Sequence, residues 1–312
     1  MKIISLTAIA LLFYISGLAQ TNTQKKDSTT QQTERLKEVV VTGNALLGSK
    51  FEARNKTGSA TYISNEDLKK FSYTNINRIL RTVPGINIYE EDGFGLRPNI
   101  SLRGTSPERS AKINLMEDGV LIAPAPYSAP AAYYFPTIGR MEAIEVLKGS
   151  SQIQYGPNTT GGAINMISTR IPERFSGKAS ITAGNYDSRN TQLVLGNSFK
   201  NFGFVTDYFN YSSDGFKDLD GGGNTGFDKT DYMAKFRVNT NLDAKIYQSL
   251  LFKIQYSEEV ANETYLGLTD ADFEENTFRR YRASSEDVIN AEHQQYQLTH
   301  FIRLSPSLDV RT

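Results

Sequence analysis

The sequence predicts two parts: an α+β domain over residues 44–172, then the first strands of a transmembrane antiparallel β-barrel over residues 173–312. Three observations predict it. The stretch Arg140 to Arg170, RMEAIEVLKGSSQIQYGPNTTGGAINMISTR, reads as strand, glycine turn, aromatic-tipped loop, glycine pair, strand. After Pro172 the chain changes to long segments that alternate polar and apolar residues with a period of two, which suits strands with one face in lipid and one face inward. The only long apolar run, Ile3 to Ile15, covers about 13 residues, short of the ~20 a spanning helix needs. Entry into a membrane therefore has to be as a closed barrel.

Composition narrows the function. Lys+Arg and Asp+Glu number 34 each, so there is no basic excess to hold a nucleic acid. The chain has no Cys, which excludes a disulfide framework and thiolate metal sites. His293 and His300 are too few for a histidine-built metal centre. Lys2, the apolar run and the small residues Gly17-Leu18-Ala19 read as a cleaved secretory signal over residues 1–19. Residues 20–37 are polar and form a flexible leader. Residues 38–43, Glu38-Val39-Val40-Val41-Thr42-Gly43, are a short β-branched strand. It is either the first strand of the next domain or a strand that pairs with a partner's sheet edge.

Within residues 44–172 the elements follow in order. Thr61-Tyr62-Ile63 is a strand, and Ser64 with Asp67 three residues on starts a helix as a capping-box variant. Leu68, Phe71, Ile76, Ile79 and Leu80 continue at helical spacing until Val83-Pro84-Gly85. Ile86-Asn87-Ile88 and Ser101-Leu102 are strands, and Asp118-Gly119 turns a hairpin after Ile113–Glu117. The pair Gly161-Gly162 marks a close backbone approach or a positive φ. Glu90 to Asn99 and Ala123 to Pro136 are loops rich in aromatic or basic residues. The glycine runs lack the Lys-Ser/Thr of a phosphate-binding loop.

Four of these stretches, L-x-x-V-P-G-I-x-I, I-S-L-R-G, L-M-E-D-G-V and E-V-L-K-G-S-S-x-x-x-Y-G-x-x-x-x-G-G-A-I-N-x-I-S, stand in that order. Together they resemble the plug domain of TonB-dependent outer-membrane receptors. The Ala125, Pro126, Tyr127, Pro130 pattern resembles the branch that handles ferric citrate and related ferric siderophores. The resemblance implies that residues 38–43 are a TonB box, with Glu38 to Thr42 binding TonB. It also implies an outer-membrane location and a roughly 22-stranded barrel in the full-length family.

The barrel strands are read at Lys178–Ala183, 190–198, 202–211, Tyr232–Asn239, Ile246–Gln255 and Gln295–Arg303, about six in all. Short turns at Asn197–Asn201 and Asn241–Ala244 alternate with long loops at Ser212–Lys229 and Ser257–Glu292. Six strands cannot close a barrel, since bacterial barrels start at about eight. The sequence therefore reads as the N-terminal portion of a longer receptor.

The implied mechanism is active transport without covalent chemistry, so no enzyme and no resident cofactor are expected; iron arrives as part of the ligand. Arg97 and Arg109, then Tyr127, Tyr133 and Tyr134, are the expected ligand contacts, because guanidinium groups grip carboxylates bidentately. Arg279, Arg280 and Arg282 either close over the ligand or form an ordinary solvated basic loop. Arg103 and Lys148 sit in the plug motifs and are expected to form salt bridges to the barrel wall, or to serve the plug's own structure. The expected partners are TonB, the ferric chelate and outer-membrane lipid. Alternatives are uptake of cobalamin, another metal chelate or an oligosaccharide. A passive porin or adhesin is a further alternative, though it needs no pairing strand at residues 38–43.

Overall fold

A computed structural model describes residues 45–312 apart from 57, 72–73, 123–128, 130, 132–133, 157–159 and 306. The expected signal peptide, leader and pairing strand, and Tyr127 and Tyr133, lie outside the described residues.

The α+β domain is built on a five-stranded sheet in the order β1 (Ser59–Ile63), β6 (Met141–Lys148), β7 (Gly162–Ser168), β4 (Ile113–Glu117), β5 (Val120–Leu121). Only β4 and β7 run parallel. A separate hairpin pairs β2 (Ile86–Tyr89) with β3 (Asn99–Leu102). Three short helices, α1 (Lys50–Asn55), α2 (Asn65–Phe71) and α3 (Ile76–Leu80), accompany the sheet. The expected cap is present: the Ser64 backbone N–H donates to the Asp67 carboxylate at 2.9 Å and the Asp67 N–H donates back to Ser64 Oγ at 3.4 Å. Asp118 (φ 49°) and Gly119 (φ 80°) both adopt the left-handed conformation, which a two-residue hairpin turn between β4 and β5 requires.

Alternation in β6 and β7 divides the domain into two faces. Ile144, Val146, Ile164 and Met166 join Ile76, Leu80, Ile100, Leu102, Ile113 and Leu115 in one buried core. Each such side chain contributes about 1.5–3 kcal/mol of hydrophobic stabilisation. The opposite face carries Leu147, packed with Leu47 and Ala53, and the buried polar pair Glu145 and Asn165. The glycine pair fulfils its reading. A Cβ on Gly162 (φ 151°) would lie 2.2 Å from the Leu147 carbonyl oxygen.

The second part is a seven-stranded antiparallel sheet in chain order: β8 (Ser176–Ala183), β9 (Arg189–Ser198), β10 (Phe202–Ser213), β12 (Phe227–Asn239), β13 (Tyr247–Asn262), β15 (Val288–Ser305) and β16 (Leu308–Arg311). The count exceeds the expected six because β16 has only four residues, too few to show an alternation. β12, β13 and β15 also run further into the expected long loops than the sequence suggests. Their ends, such as Asp228-Lys229 and Glu258-Glu259, are polar on both faces while the backbone ladder continues. The remaining connections hold α4 (Asp270–Glu275) and a small parallel pair of β11 (Asp218–Leu219) with β14 (Arg279–Arg280).

The polarity of this sheet is inverted relative to a water-soluble one. Tyr232, Phe236, Val238, Leu250, Phe252, Tyr296 and Leu298 are exposed, whereas Lys229, Asp231, Lys235, Lys253, Gln255 and Glu259 are buried. The buried polar row faces the α+β domain and the apolar row faces outward, as a lipid-facing barrel wall requires. Among the described residues no helix is long and apolar enough to cross a membrane.

The two parts touch closely at Gly139, where a Cβ would fall 2.0 Å from Cε2 of Phe209 on β10. Gly139→Val is expected to destabilise this seat by about 1–3 kcal/mol through overpacking. The readout is the denaturant midpoint of the full-length protein; an unchanged midpoint contradicts the tight seat.

Candidate functional site

Charged side chains fill the interface between the α+β domain and the sheet. Lys235 and Lys253 stand directly opposite each other on β12 and β13, a like-charge pair that is unfavourable by itself. The Asp118 carboxylate reaches both, at 3.2 Å from Lys235 Nζ and 2.7 Å from Lys253 Nζ. It also accepts from the Ser168 N–H at 3.0 Å and the Ser168 hydroxyl at 2.5 Å. Lys253 pairs with Glu117 as well. Arg140, fully buried, donates bidentately to Glu117 at 2.6 and 2.9 Å and lies 2.9 Å from Asp231 of β12. Three anions (Glu117, Asp118, Asp231) thus balance three cations (Arg140, Lys235, Lys253).

Two satellites extend this lattice. Glu259 of β13 binds Arg97 at 2.5 Å and Lys229 at 2.9 Å. Asp207 of β10 accepts from the Thr169 hydroxyl at 2.5 Å and from Gln192, where the chain leaves β7 for the sheet. Burial alone would raise the Glu117 carboxyl, but Arg140 and Lys253 more than offset it and hold it at about 2. Asp118 is likewise held well below the usual carboxylate range by Lys235 and Lys253, against the cost of its burial.

The expected site residues separate into groups. Arg97 is buried and paired with Glu259, so it serves the interface instead of standing open to a ligand. Tyr134 stacks on His293 with ring centroids 3.6 Å apart, and its hydroxyl bonds to Gln255 at 2.5 Å. Arg109 remains exposed; its backbone N–H donates to Asn99 Oδ1 at 2.7 Å. Arg279 pairs with Asp220 at 3.0 Å and Asp272 at 2.5 Å. Arg280 is buried and donates to the carbonyls of Glu263, Ser284 and Asp287, so it braces its own loop. Arg282 is exposed beside Gly221.

Arg103 and Lys148 do not bridge to the sheet among the described residues. Lys148 Nζ donates to the Pro84 carbonyl at 2.6 Å, inside the α+β domain, and Arg103 is exposed beside Gly149. Burial and the nearby Arg103 push the Lys148 ammonium down. The bridging role falls to Glu117, Asp118, Arg140 and Arg97, which sequence reasoning missed in that role. A signal was present on the wall side only: Asp231, Lys235 and Lys253 stand in strands whose opposite face carries the exposed aromatics Tyr232, Phe236 and Phe252.

The loop from Glu90 to Asn99 lies at the end of the sheet that carries the long connections. Phe94 packs on Phe227 and Phe216 with centroids 4.7 and 5.5 Å apart, and Asn99 Nδ2 donates to Glu91 at 3.0 Å. Asn99 places Arg109 at that end too.

Residues 52–163 match the TonB-dependent Receptor Plug Domain family. This segment is a TonB-dependent receptor plug. Solved structures of similar fold include the ferric citrate transporter FecA in its unliganded form, with a TM-score of 0.70, 20% identity and 83% of this chain against 39% of that one. The ferric yersiniabactin uptake receptor FyuA from Yersinia pestis aligns with a TM-score of 0.59 and 20% identity, covering 80% of this chain and 38% of that one. The ferripyoverdine receptor of the Pseudomonas aeruginosa outer membrane aligns at 0.54 and 18%, covering 80% and 32%. The chain thus spans less than two fifths of the length of these relatives. The fold is a plug followed by receptor-type barrel strands.

Two outcomes follow for the plug–barrel lattice. Lys253→Met leaves Glu117 and Asp118 short of a cation in a dry interface and should cost about 3–5 kcal/mol of unfolding free energy. Denaturant unfolding of the full-length receptor reads this directly. The Glu117 carboxyl sits at about 2 in place of 4.5, so its stabilisation is whole above about pH 4.5 and drains away toward pH 2. Glu117→Gln should remove that acid limb of the stability profile; a limb of unchanged size counts against the assignment.

Proposed function

We propose that this chain is the N-terminal portion of an outer-membrane receptor that binds a ferric carboxylate chelate, ferric citrate or a similar siderophore, and imports it into the periplasm. Residues 1–19 direct export, and Glu38–Thr42 pair with a sheet edge of TonB, which transmits energy from the inner membrane. The exposed apolar row of the sheet meets lipid. Iron is cargo carried within the ligand. The observation that carries the proposal is a plug seated in an inverted barrel wall through balanced buried ion pairs.

An ionic seal suits a plug that must move. Leaving an apolar interface exposes oily surface to water with nothing in return. Ions leaving a dry interface regain the hydration they lost on burial, so the net cost of opening is small. The seal is firm when closed because each charge has a counter-charge within reach, yet separable once water enters. The ligand class is supported by the exposed Arg109 at the long-loop end and by the solved structures of like fold, among them a ferric citrate transporter and a ferric yersiniabactin uptake receptor.

Deleting Glu38–Thr42 should leave ferric citrate binding intact and abolish its energised uptake; persistent uptake of the radiolabelled iron chelate would falsify the transport reading. Arg109→Ala should weaken ferric citrate binding by about 1.5–3 kcal/mol, the worth of hydrogen bonds to a charged group. Fluorescence quenching titration measures it, and binding of a ferric catecholate alone would discard the carboxylate class. Replacing the Arg97–Glu259–Lys229 triad with Met, Leu and Met should leave stability equal or raise it by about 1–4 kcal/mol. Uptake should slow, and faster uptake would contradict the ionic-seal argument.

A further inference from the structure

A second polar arrangement lies on the plug face opposite its main core, outside the lattice. Three consecutive backbone N–H groups converge on one carboxylate: Leu46 donates to Glu145 Oε2 at 2.6 Å, and Leu47 and Gly48 donate to Oε1 at 2.9 Å each. Glu145 is fully buried on β6, which lies between β1 and the central strand β7. Its Oε2 also accepts from Asn165 Nδ2 at 2.9 Å, and Asn165 is its direct cross-strand partner on β7. The other end of the Asn165 amide, Oδ1, accepts from the Gly119 N–H at 2.9 Å. Gly119 is the residue after Asp118, whose carboxylate holds both barrel lysines.

We propose that Glu145 and Asn165 form a relay coupling the segment Leu46–Gly48 to the ion lattice that seats the plug in the barrel. The inference rests on the reading above that TonB pulls on Glu38–Thr42. Leu46 lies four residues beyond Thr42, within about 14 Å of extended chain, so tension on the pairing strand arrives first at this clasp. Three donors on one carboxylate share the load and part together instead of one at a time. The load then passes through a buried carboxylate and a buried amide, neither of which has water to exchange with, to the Asp118-Gly119 turn. Asp118 is held in the left-handed region, and the Gly119 N–H is one of the contacts that keeps the turn in place. Moving that N–H swings the Asp118 carboxylate off Lys235 and Lys253.

The test uses the full-length receptor with two variants, Glu145→Gln and Asn165→Ala. The first weakens the clasp; the second leaves the clasp carboxylate in place and removes only the link. Amide hydrogen exchange is followed at Leu46–Gly48 and at Gly119, and energised uptake and binding are followed with ferric citrate. In Glu145→Gln, exchange should quicken roughly tenfold at Leu46–Gly48 and also at Gly119. In both variants uptake should fall roughly tenfold while affinity stays within about twofold. Faster exchange confined to Leu46–Gly48, or Asn165→Ala transporting at the wild-type rate, overturns the relay. If Glu145→Gln fails to fold, Asn165→Ala decides alone. If the unaltered receptor does not take up ferric citrate, the ligand reading fails and the exchange at Gly119 still decides the relay.

Discussion

A charge on the inner wall of a filled barrel has nowhere to go but to a counter-charge. The seating of this plug depends on that constraint. Lys235 and Lys253 oppose each other across β12 and β13, and neither is satisfied by its own sheet. The plug answers with Glu117 and Asp118, adjacent at a hairpin turn, and with Arg140, which reaches back to Asp231 on the wall. The tight Asp118-Gly119 turn presents the second carboxylate at the angle that meets both lysines. The hairpin geometry and the electrostatics of the interface are therefore one requirement.

The same constraint explains the inverted sheet. In water, a strand alternating tyrosine, phenylalanine and valine with lysine and aspartate would bury the first set. Here the first set is exposed and the second is buried, because lipid replaces water outside and a polar plug replaces an apolar core inside. The plug keeps its own hydrophobic core around Ile144, Val146, Ile164 and Met166. Its coherence therefore does not depend on the wall, and its attachment to the wall can be polar.

That division of labour gives the plug and its seat different chemistry. An apolar core holds the plug together, and an ionic interface holds it to the wall. At the long-loop end, the aromatic contacts of Phe94 with Phe216 and Phe227 pack the plug loop under the barrel connections. Arg97 locks the same loop to Glu259 beneath them.

The sequence by itself determined the plug, its motif order, the Ser64 cap, the Asp118-Gly119 turn and the alternating barrel strands. Each of these is written in residues that are neighbours in the chain or repeat with a fixed period. It also pointed to Arg97 as a ligand contact and to Arg103 and Lys148 as bridges to the barrel wall. Only the tertiary structure paired Arg97 with Glu259, put Lys148 on the Pro84 carbonyl, and gave the barrel contacts to Glu117, Asp118 and Arg140. An ion pair joining residues 91 to 162 positions apart leaves no periodic trace. The strand ends past Tyr256 and before Glu292 were hidden for a related reason: outside the lipid both faces are wet, so the ladder continues without the alternation that reveals it. Local chemistry specified the elements, and the fold alone chose which charges would meet.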